Sequence, residues 1–386
     1  MGRPMRSGAQ SSFSVTIRPQ VKTCPEAVGV YDLALPDGTK VVAIGHSYWP
    51  SHDRSLVDAL KQYLAKAKPD VIFFLGGAIH EEAFKAVVDD NDDLTTKLIG
   101  EDVPPELAKV MEQHEGMEDR FLALARQGGK FIAAFAEVSG AHLFYLPSVA
   151  GAMPNEIDIH RFVLEQKQRA DAWVDRQPDQ AKKGPDIPVS FGAFLGLHKH
   201  PQVTVLPFGA AVMVNKTDLF KVGDFKRRHP GSSGLVEWQQ TGMNIIRSYP
   251  GMVASGWFTT PVHTMPASVR NFNQFHEVGN LFSIRAGLGY LRTYERRAKG
   301  FLVGTYAGGK LFAHSVPFVP GKDGRRGFVI DGNAYSEETA GSTARIVHLP
   351  TPVRADSKVA NAKPAAKPTS AKKKPVPSKT KKSKKS

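Results

Sequence analysis

Val41-Val42-Ala43-Ile44-Gly45-His46-Ser47-Tyr48-Trp49-Pro50-Ser51-His52-Asp53 leads into Leu56, Leu60 and Leu64 at four-residue spacing, and then into Lys68-Pro69-Asp70-Val71-Ile72-Phe73-Phe74-Leu75-Gly76. An apolar run, a helical stripe over Asp53 to Ala67 and a second apolar run read as strand, helix and strand. The unit has the length of a βαβ crossover, whose second strand lies parallel to the first and is buried on both faces. Loops beyond the strand ends are the natural place for a site, and His46, His52, Asp53 and His80 all fall there.

Upstream, residues 1 to 25 form a polar arm, and Val28 to Leu35 pairs with Lys40 to Gly45 as an expected hairpin across the turn signal Pro36-Asp37-Gly38. Downstream, Glu81 to Arg126 reads as largely helical with a break at Pro104-Pro105. Lys130 to Ala136 and Ala141 to Pro147 read as strands, and Asp158 to Trp173 as a helix. After a polar excursion at Gln177 to Pro188, a short helix is expected over Phe191 to His198, with strands at Val203 to Pro207 and Ala210 to Val214. Gly231-Ser232-Ser233-Gly234 opens a helix from Leu235 to Tyr249. The later strands are Val253 to Phe258, Leu281 to Arg285, Phe301 to Ala307 and Lys310 to Phe318. Alternating α/β followed by a mostly β region gives an α/β fold class, with sheets packed between helices in one large domain.

The chain of 386 residues is 41% hydrophobic and 23% charged, which excludes collagen-like, wholly disordered and disulfide-stapled classes. Cys24 is the only cysteine, so there is no internal disulfide and no zinc site built from several cysteines. No apolar run reaches the roughly 18 residues of a membrane helix, and Met1 to Ser14 lacks an apolar core of the signal-peptide type. An intracellular protein, cytoplasmic or associated with nucleic acid and with no membrane partner, is expected.

The formal charge of +14 is unevenly placed: eleven lysines and no acid lie between Ser357 and Ser386, leaving +3 on residues 1 to 356. Residues 351 to 386 form a Lys-rich tail with almost nothing apolar to offset the entropy of ordering, so a disordered tail is expected. Its Lys372, Lys373, Lys374, Lys379, Lys381, Lys382, Lys384 and Lys385 are the candidate nucleic-acid contacts. A mobile lysine run neutralises phosphates without reading sequence, which makes nucleic acid the expected, non-specific partner. A merely solubilising tail is the plain alternative, and another polyanion a further one.

The opening strand, helix and strand resemble the first two blocks of the calcineurin-like metallophosphoesterases. There a strand ends in D-x-H, often followed by a proline and an H-D pair, and the next strand ends in G-D. Leu146-Pro147-Ser148-Val149-Ala150-Gly151 resembles the approach to the G-N-H-[DE] block, Val203 to Asn215 the strand before the fourth-block histidine, and Val253-Ala254-Ser255-Gly256 the approach to G-H-x-H. Tyr290 and Lys299-Gly300-Phe301-Leu302-Val303-Gly304 resemble a late strand of the same sheet. The resemblance spans Val28 to Phe318 and implies a calcineurin-like phosphoesterase fold over residues 26 to 350.

Carried over position by position, the resemblance also implies that the metal ligands are gone. His46 stands for the first-block Asp, Tyr48 for its His and Gly77 for the bridging Asp. Ala152 and Met153 stand where Asn and His belong, Val214 or Asn215 replaces the fourth-block His, and the last motif reads Gly256-Trp257-Phe258-Thr259. A bridging carboxylate offsets the repulsion between two cations, and a glycine there removes that clamp. Tyr, Met, Trp and Phe are poor ligands for hard cations.

His46, His52, Asp53 and His80 are the candidates for a relocated single-metal site holding zinc or manganese. Against it, His52-Asp53 reads as a helix start, with Asp53 favoured near the N-terminus. His198-Lys199-His200 reads as a basic helix end before Pro201. Gly76-Gly77 and Gly231 to Gly234 are weighed as phosphate cradles or as turns. Ser148, Ser232 and Ser233 show no base and acid partners, and Arg292, Arg296, Arg297 and Lys299 form a basic cluster or a solvated face. No catalytic residue and no cofactor is assigned. Three functions follow: an inactive metallophosphoesterase-like protein with a binding or structural role on nucleic acid, an active metal-dependent phosphoesterase or nuclease with relocated ligands, or an assembly component of a nucleoprotein or virus-like particle.

Overall fold

A computed structural model describes residues 15–18, 29–80, 83–84, 105–114, 117–148, 156, 159, 161, 164, 165, 168, 190–222, 251–255, 262–266, 272–282, 299–320 and 326–336. The chain divides into two units, Met1–His348 and Leu349–Ser386. The second unit, with the lysine tail, lies outside the described residues, as do Gly231 to Gly234, the helix expected over Leu235 to Tyr249, Gln177 to Pro188, and Arg292, Arg296 and Arg297.

Strand β3 (Lys40–Ile44) is followed by helix α1 (Arg54–Ala67) and strand β4 (Val71–Leu75), and the two strands pair in parallel from Val41↔Val71 to Ile44↔Phe74. Asp53 caps the helix, its Oδ1 accepting from the Leu56 N–H at 3.3 Å. At the other end Lys68 takes a left-handed φ of 44° and its N–H donates to the Leu64 carbonyl, after which Pro69 cannot continue the helix. Strand β5 (His142–Leu146) pairs in parallel with β4, and β6 (Val203–Val205) with β5.

All five residues of β4 are buried, and their alternation assigns them to two cores. Ile72 and Phe74 face α1 and the long helix α3 (Met117–Ser139), while Val71, Phe73 and Leu75 face a second sheet, where Phe73 stacks on Phe220 at 4.0 Å. Burying one such ring contributes about 2–3 kcal/mol. The six-stranded sheet has the order β13-β12-β3-β4-β5-β6, with β12 (Gly300–Ala307) and β13 (Lys310–Pro317) joined by the hairpin turn Gly308-Gly309, both at positive φ. The facing seven-stranded sheet has the order β1-β2-β7-β8-β9-β11-β10, built from β1 (Val15–Arg18), β2 (Gly29–Leu33), β7 (Ala210–Val214), β8 (Asp218–Val222), β9 (Gly251–Ser255), β10 (Val262–Pro266) and β11 (Phe272–Glu277). A three-stranded sheet, β14 (Val319–Pro320), β15 (Arg326–Ile330) and β16 (Asn333–Ser336), packs on α1 through Tyr63, Phe328 and Tyr335. Helix α2 (Pro105–Gln113) is pinned to α1 by the forked pair of Arg54 with Glu106, and α4 (Phe191–Phe194) leads to a 3-10 turn at Leu197–Lys199.

The α/β class holds, and the parallel β3-α1-β4 unit is as expected. Three readings are corrected. Val28 to Leu35 and Lys40 to Gly45 form no hairpin, because β2 pairs with β1 and β7 while β3 pairs with β4 and β12. The turn at Pro36-Asp37-Gly38 instead carries the chain from one sheet to the other. It is anchored by Asp37, which accepts from the N–H groups of Gly308 and Gly309. Lys130 to Ala136 is the second half of α3, not a strand. The polar arm contains a strand, β1. Of the strand expected at Leu281 to Arg285, residues 283 to 285 lie outside the described residues, and Phe282 forms a bridge with His52.

Candidate functional site

The loops after β3 and β4 meet at the carboxyl ends of the two strands, and their backbones are zipped together. The N–H groups of Ser47 and Tyr48 donate to the Gly77 carbonyl at 2.9 and 3.0 Å, Trp49 N–H donates to Ala78, and His80 N–H returns to Trp49. Gly45 permits a third segment to close on them, since a Cβ there would stand 2.3 Å from the Gly279 carbonyl oxygen. Leu281 N–H then donates to the His46 carbonyl at 2.8 Å.

Tyr48 lies at this junction, buried and in a left-handed conformation with φ 53° that non-glycine residues rarely hold. Its ring stands between those of His46, at 5.7 Å, and His80, at 5.6 Å, and meets Phe282 edge-on at 4.7 Å. His52 turns to Phe131, at 4.8 Å. Asp53 is committed elsewhere: besides capping α1 it pairs with Lys299 Nζ and, at 2.9 Å, with Arg326 Nη1. The four candidates for a relocated metal therefore do not converge, and among the described residues no three His, Cys, Asp or Glu side chains group so as to hold a metal ion. Lys299, read as part of a basic cluster, is partly buried and paired with Asp53.

Behind Gly77 lies the feature that the sequence did not disclose. Gly76 and Gly77 both have positive φ, 68° and 61°, and the turn they make aims successive N–H groups inward as an anion nest. Glu156, fully buried in helical backbone, fills it. One carboxylate oxygen accepts from the N–H groups of Ala78 (2.8 Å) and Ile79 (3.2 Å) and from the Tyr145 hydroxyl. The other accepts from Gly77 N–H (3.2 Å), Ser148 N–H (2.6 Å) and Ser148 Oγ (3.0 Å). The cradle considered for a phosphate thus exists and holds a side chain of the protein's own. Six donors exhaust the roughly four lone-pair sites of a carboxylate. Burial pushes the Glu156 carboxyl above the usual range, with the bonds from Tyr145, Ser148 and Ile79 pulling against it, and the Tyr145 hydroxyl is pushed up by burial and by Glu156.

A two-metal centre does not fit these residues. Where the resemblance puts a bridging carboxylate there is Gly77, whose N–H donates to Glu156, and that carboxylate has its lone pairs taken up by six donors. Asn215, one of the two positions that the resemblance sets against the fourth-block His, serves a hairpin turn: with φ 51° it follows β7, and its side-chain amide pairs with both backbone groups of Leu35. Ala152, Met153 and Gly256 to Thr259 lie outside the described residues.

Two histidines, the half-buried His52 and the buried His276, are held below their usual pKa. His52 is lowered from the usual 6.5 to about 4, chiefly by burial and then by Arg54 and Lys61, and His276 to about 4 by burial and then by His314. Folded-state values below the unfolded one mean that the stabilising contribution is whole above pH 6.5 and drains as pH falls towards 4. Each contributes up to about 3 kcal/mol. Thermal midpoints should therefore drop across that window, and the drop should be shallower in His52→Gln and His276→Gln. Parallel curves for parent and variants would show that neither residue is the cause.

No protein-family model matches the sequence, and no curated protein matches it. Solved structures that align with it include Vps29 of Entamoeba histolytica complexed with zinc, at 8% identity and TM-score 0.29, covering 77% of this chain and 97% of that one. Vps29 of Chaetomium thermophilum aligns at 11% and 0.33, covering 79% and 100%, and Vacuolar Protein Sorting 29 of Cryptosporidium parvum at 11% and 0.31, covering 78% and 96%. Likenesses of this size carry no argument about activity. Among the described residues no helix is long and apolar enough to cross a membrane.

Proposed function

We propose that this chain is a calcineurin-like phosphoesterase scaffold without metal chemistry, serving as a binding or structural protein that contacts nucleic acid through its lysine tail. The observation that supports the first half is the Glu156 carboxylate in the Gly77 to Ile79 nest, which puts hydrogen-bond donors and a saturated acid where a hydrolase of this kind needs free carboxylates. Composition supports the second half: Lys372 to Lys374, Lys379, Lys381, Lys382, Lys384 and Lys385 lie in a stretch with no acid.

Both halves are tested on one preparation. The purified protein should hold no stoichiometric metal and should not hydrolyse a generic phosphodiester when manganese is supplied. Hydrolysis that disappears in His46→Ala or His52→Ala would replace this reading with that of an active enzyme. Binding to duplex and single-stranded DNA should fall steeply with salt, each neutralised phosphate adding about 0.9 to the slope of log affinity against log salt for the duplex. Replacing the eight lysines by glutamine should abolish most of the binding and leave the unfolding transition unchanged. Undiminished binding in that variant would move the nucleic-acid surface to the body.

A further inference from the structure

Helix α3 carries Arg126 and Lys130, one turn apart and both exposed, and the 3-10 turn at Leu197–Lys199 with the residue after it carries His198, Lys199 and His200. The two segments are held together by Gly129. A Cβ there would stand 1.8 Å from the Leu195 carbonyl oxygen, so a larger residue would force the helix and the α4 segment apart. Gly196, with φ 73°, then turns the chain back past Arg126, whose Cγ would lie 3.8 Å from a Cβ at that glycine.

Between the two segments is a cavity of about 290 Å³ lined by those five basic side chains and by no acid. His200 is held by Glu137 at 3.0 Å, and among the described residues Arg126, Lys130 and Lys199 have no acidic partner. Like charges one turn apart on a helix cost a few tenths of a kcal/mol, and here a third cation faces them across the cavity. An anion seated between them reverses the sign of all three terms.

We propose that this cavity binds phosphate groups. Arg126 offers a planar fork for two oxygens, Lys130 and Lys199 offer point charges from opposite walls, and the imidazoles offer ring N–H donors. The remaining lining is Ala193, Leu195 and Gly196, with no aromatic ring to stack a base, so the phosphate is what the site reads. The proposal stands apart from the lysine tail and from the buried cluster around Tyr48.

The test uses the full-length chain, following the imidazole NMR signals of His198 and His200 while pyrophosphate is added. Both signals should shift and saturate. In the double variant Arg126→Gln/Lys130→Gln the affinity should fall roughly tenfold or more for each cation removed, with an unchanged unfolding transition, because both positions are exposed and glutamine suits a helix. Lys372, Lys373 and Lys374 changed together to glutamine should leave the shifts as they are. A single-stranded oligonucleotide then distinguishes the sources: competition with pyrophosphate at His198 and His200 assigns the site to a nucleic-acid backbone, and no competition assigns it to a small phosphoryl compound. Signals that stay still at tens of millimolar pyrophosphate, or that move as strongly in the double variant, would overturn the proposal.

Discussion

Asp53→Ala is expected to cost the protein roughly 3–5 kcal/mol of unfolding free energy, a large part of what holds a domain together. Two losses combine. The N-cap of α1 disappears, which costs about 1 kcal/mol by itself. The larger part comes from Lys299, whose side chain is 11% exposed and would be left as a buried charge with no counterion, whereas Arg326, at 46%, can return to water. Asp53→Ser should therefore recover the cap and little else. Asp53→Ala/Lys299→Met should recover more than either change predicts alone, because the double variant removes the orphaned charge. Equilibrium denaturation of the parent, these three variants and Lys299→Met alone is the measurement. Additive losses in the double variant would mean that Lys299 finds water without Asp53.

Asp53 illustrates what was legible in the sequence. A short polar residue ahead of a leucine stripe is a local signal, and the helix cap it specifies is what formed. The β3-α1-β4 unit was readable for the same reason: every feature that defines it lies within 35 residues of sequence, from Val41 to Leu75. Readings failed where a distant contact overrode a local pattern. Lys130 to Ala136 resembles a buried strand because Phe131, Ile132, Ala133, Phe135 and Ala136 are all buried, and because Gly128-Gly129 looks like a break before it. Those glycines are inside the helix for close approach: a Cβ at Gly128 would meet Ile79 at 2.9 Å, and one at Gly129 the Leu195 carbonyl. In contrast, the hairpin of β15 and β16 carries a local Asp331-Gly332 turn signal, with φ 50° and 73°.

The candidate site divides in the same way. That Gly77 offers no carboxylate was legible in the sequence. The group that fills the nest behind it was not, because Glu156 reaches the N–H groups of Gly77, Ala78 and Ile79 across 77 to 79 residues of sequence. The Gly76-Gly77 pair gave half of the answer, a backbone able to hold an anion. Only the fold supplies the anion.

Glu156→Leu is expected to be the other severe substitution, at roughly 3–5 kcal/mol, since it strands the N–H groups of Gly77, Ala78, Ile79 and Ser148 in the interior. The isosteric Glu156→Gln should be nearly as harmful. Each carboxylate oxygen accepts from two backbone N–H groups, so whichever way the amide is placed, its NH₂ faces donors that cannot reverse. The hydroxyls of Tyr145 and Ser148 can rotate to accept, and they soften the loss without removing it. Hydrogen exchange locates the effect: the four amides should lose protection in both variants while those of α1 keep theirs. Formate added to Glu156→Ala should restore part of the protection, because a free carboxylate fits the vacated nest. A Glu156→Gln protein as stable as the parent would mean that the carboxyl is held neutral and its charge plays no part. In that case the backbone dipoles of residues 77 to 79 would stand uncompensated by a negative charge.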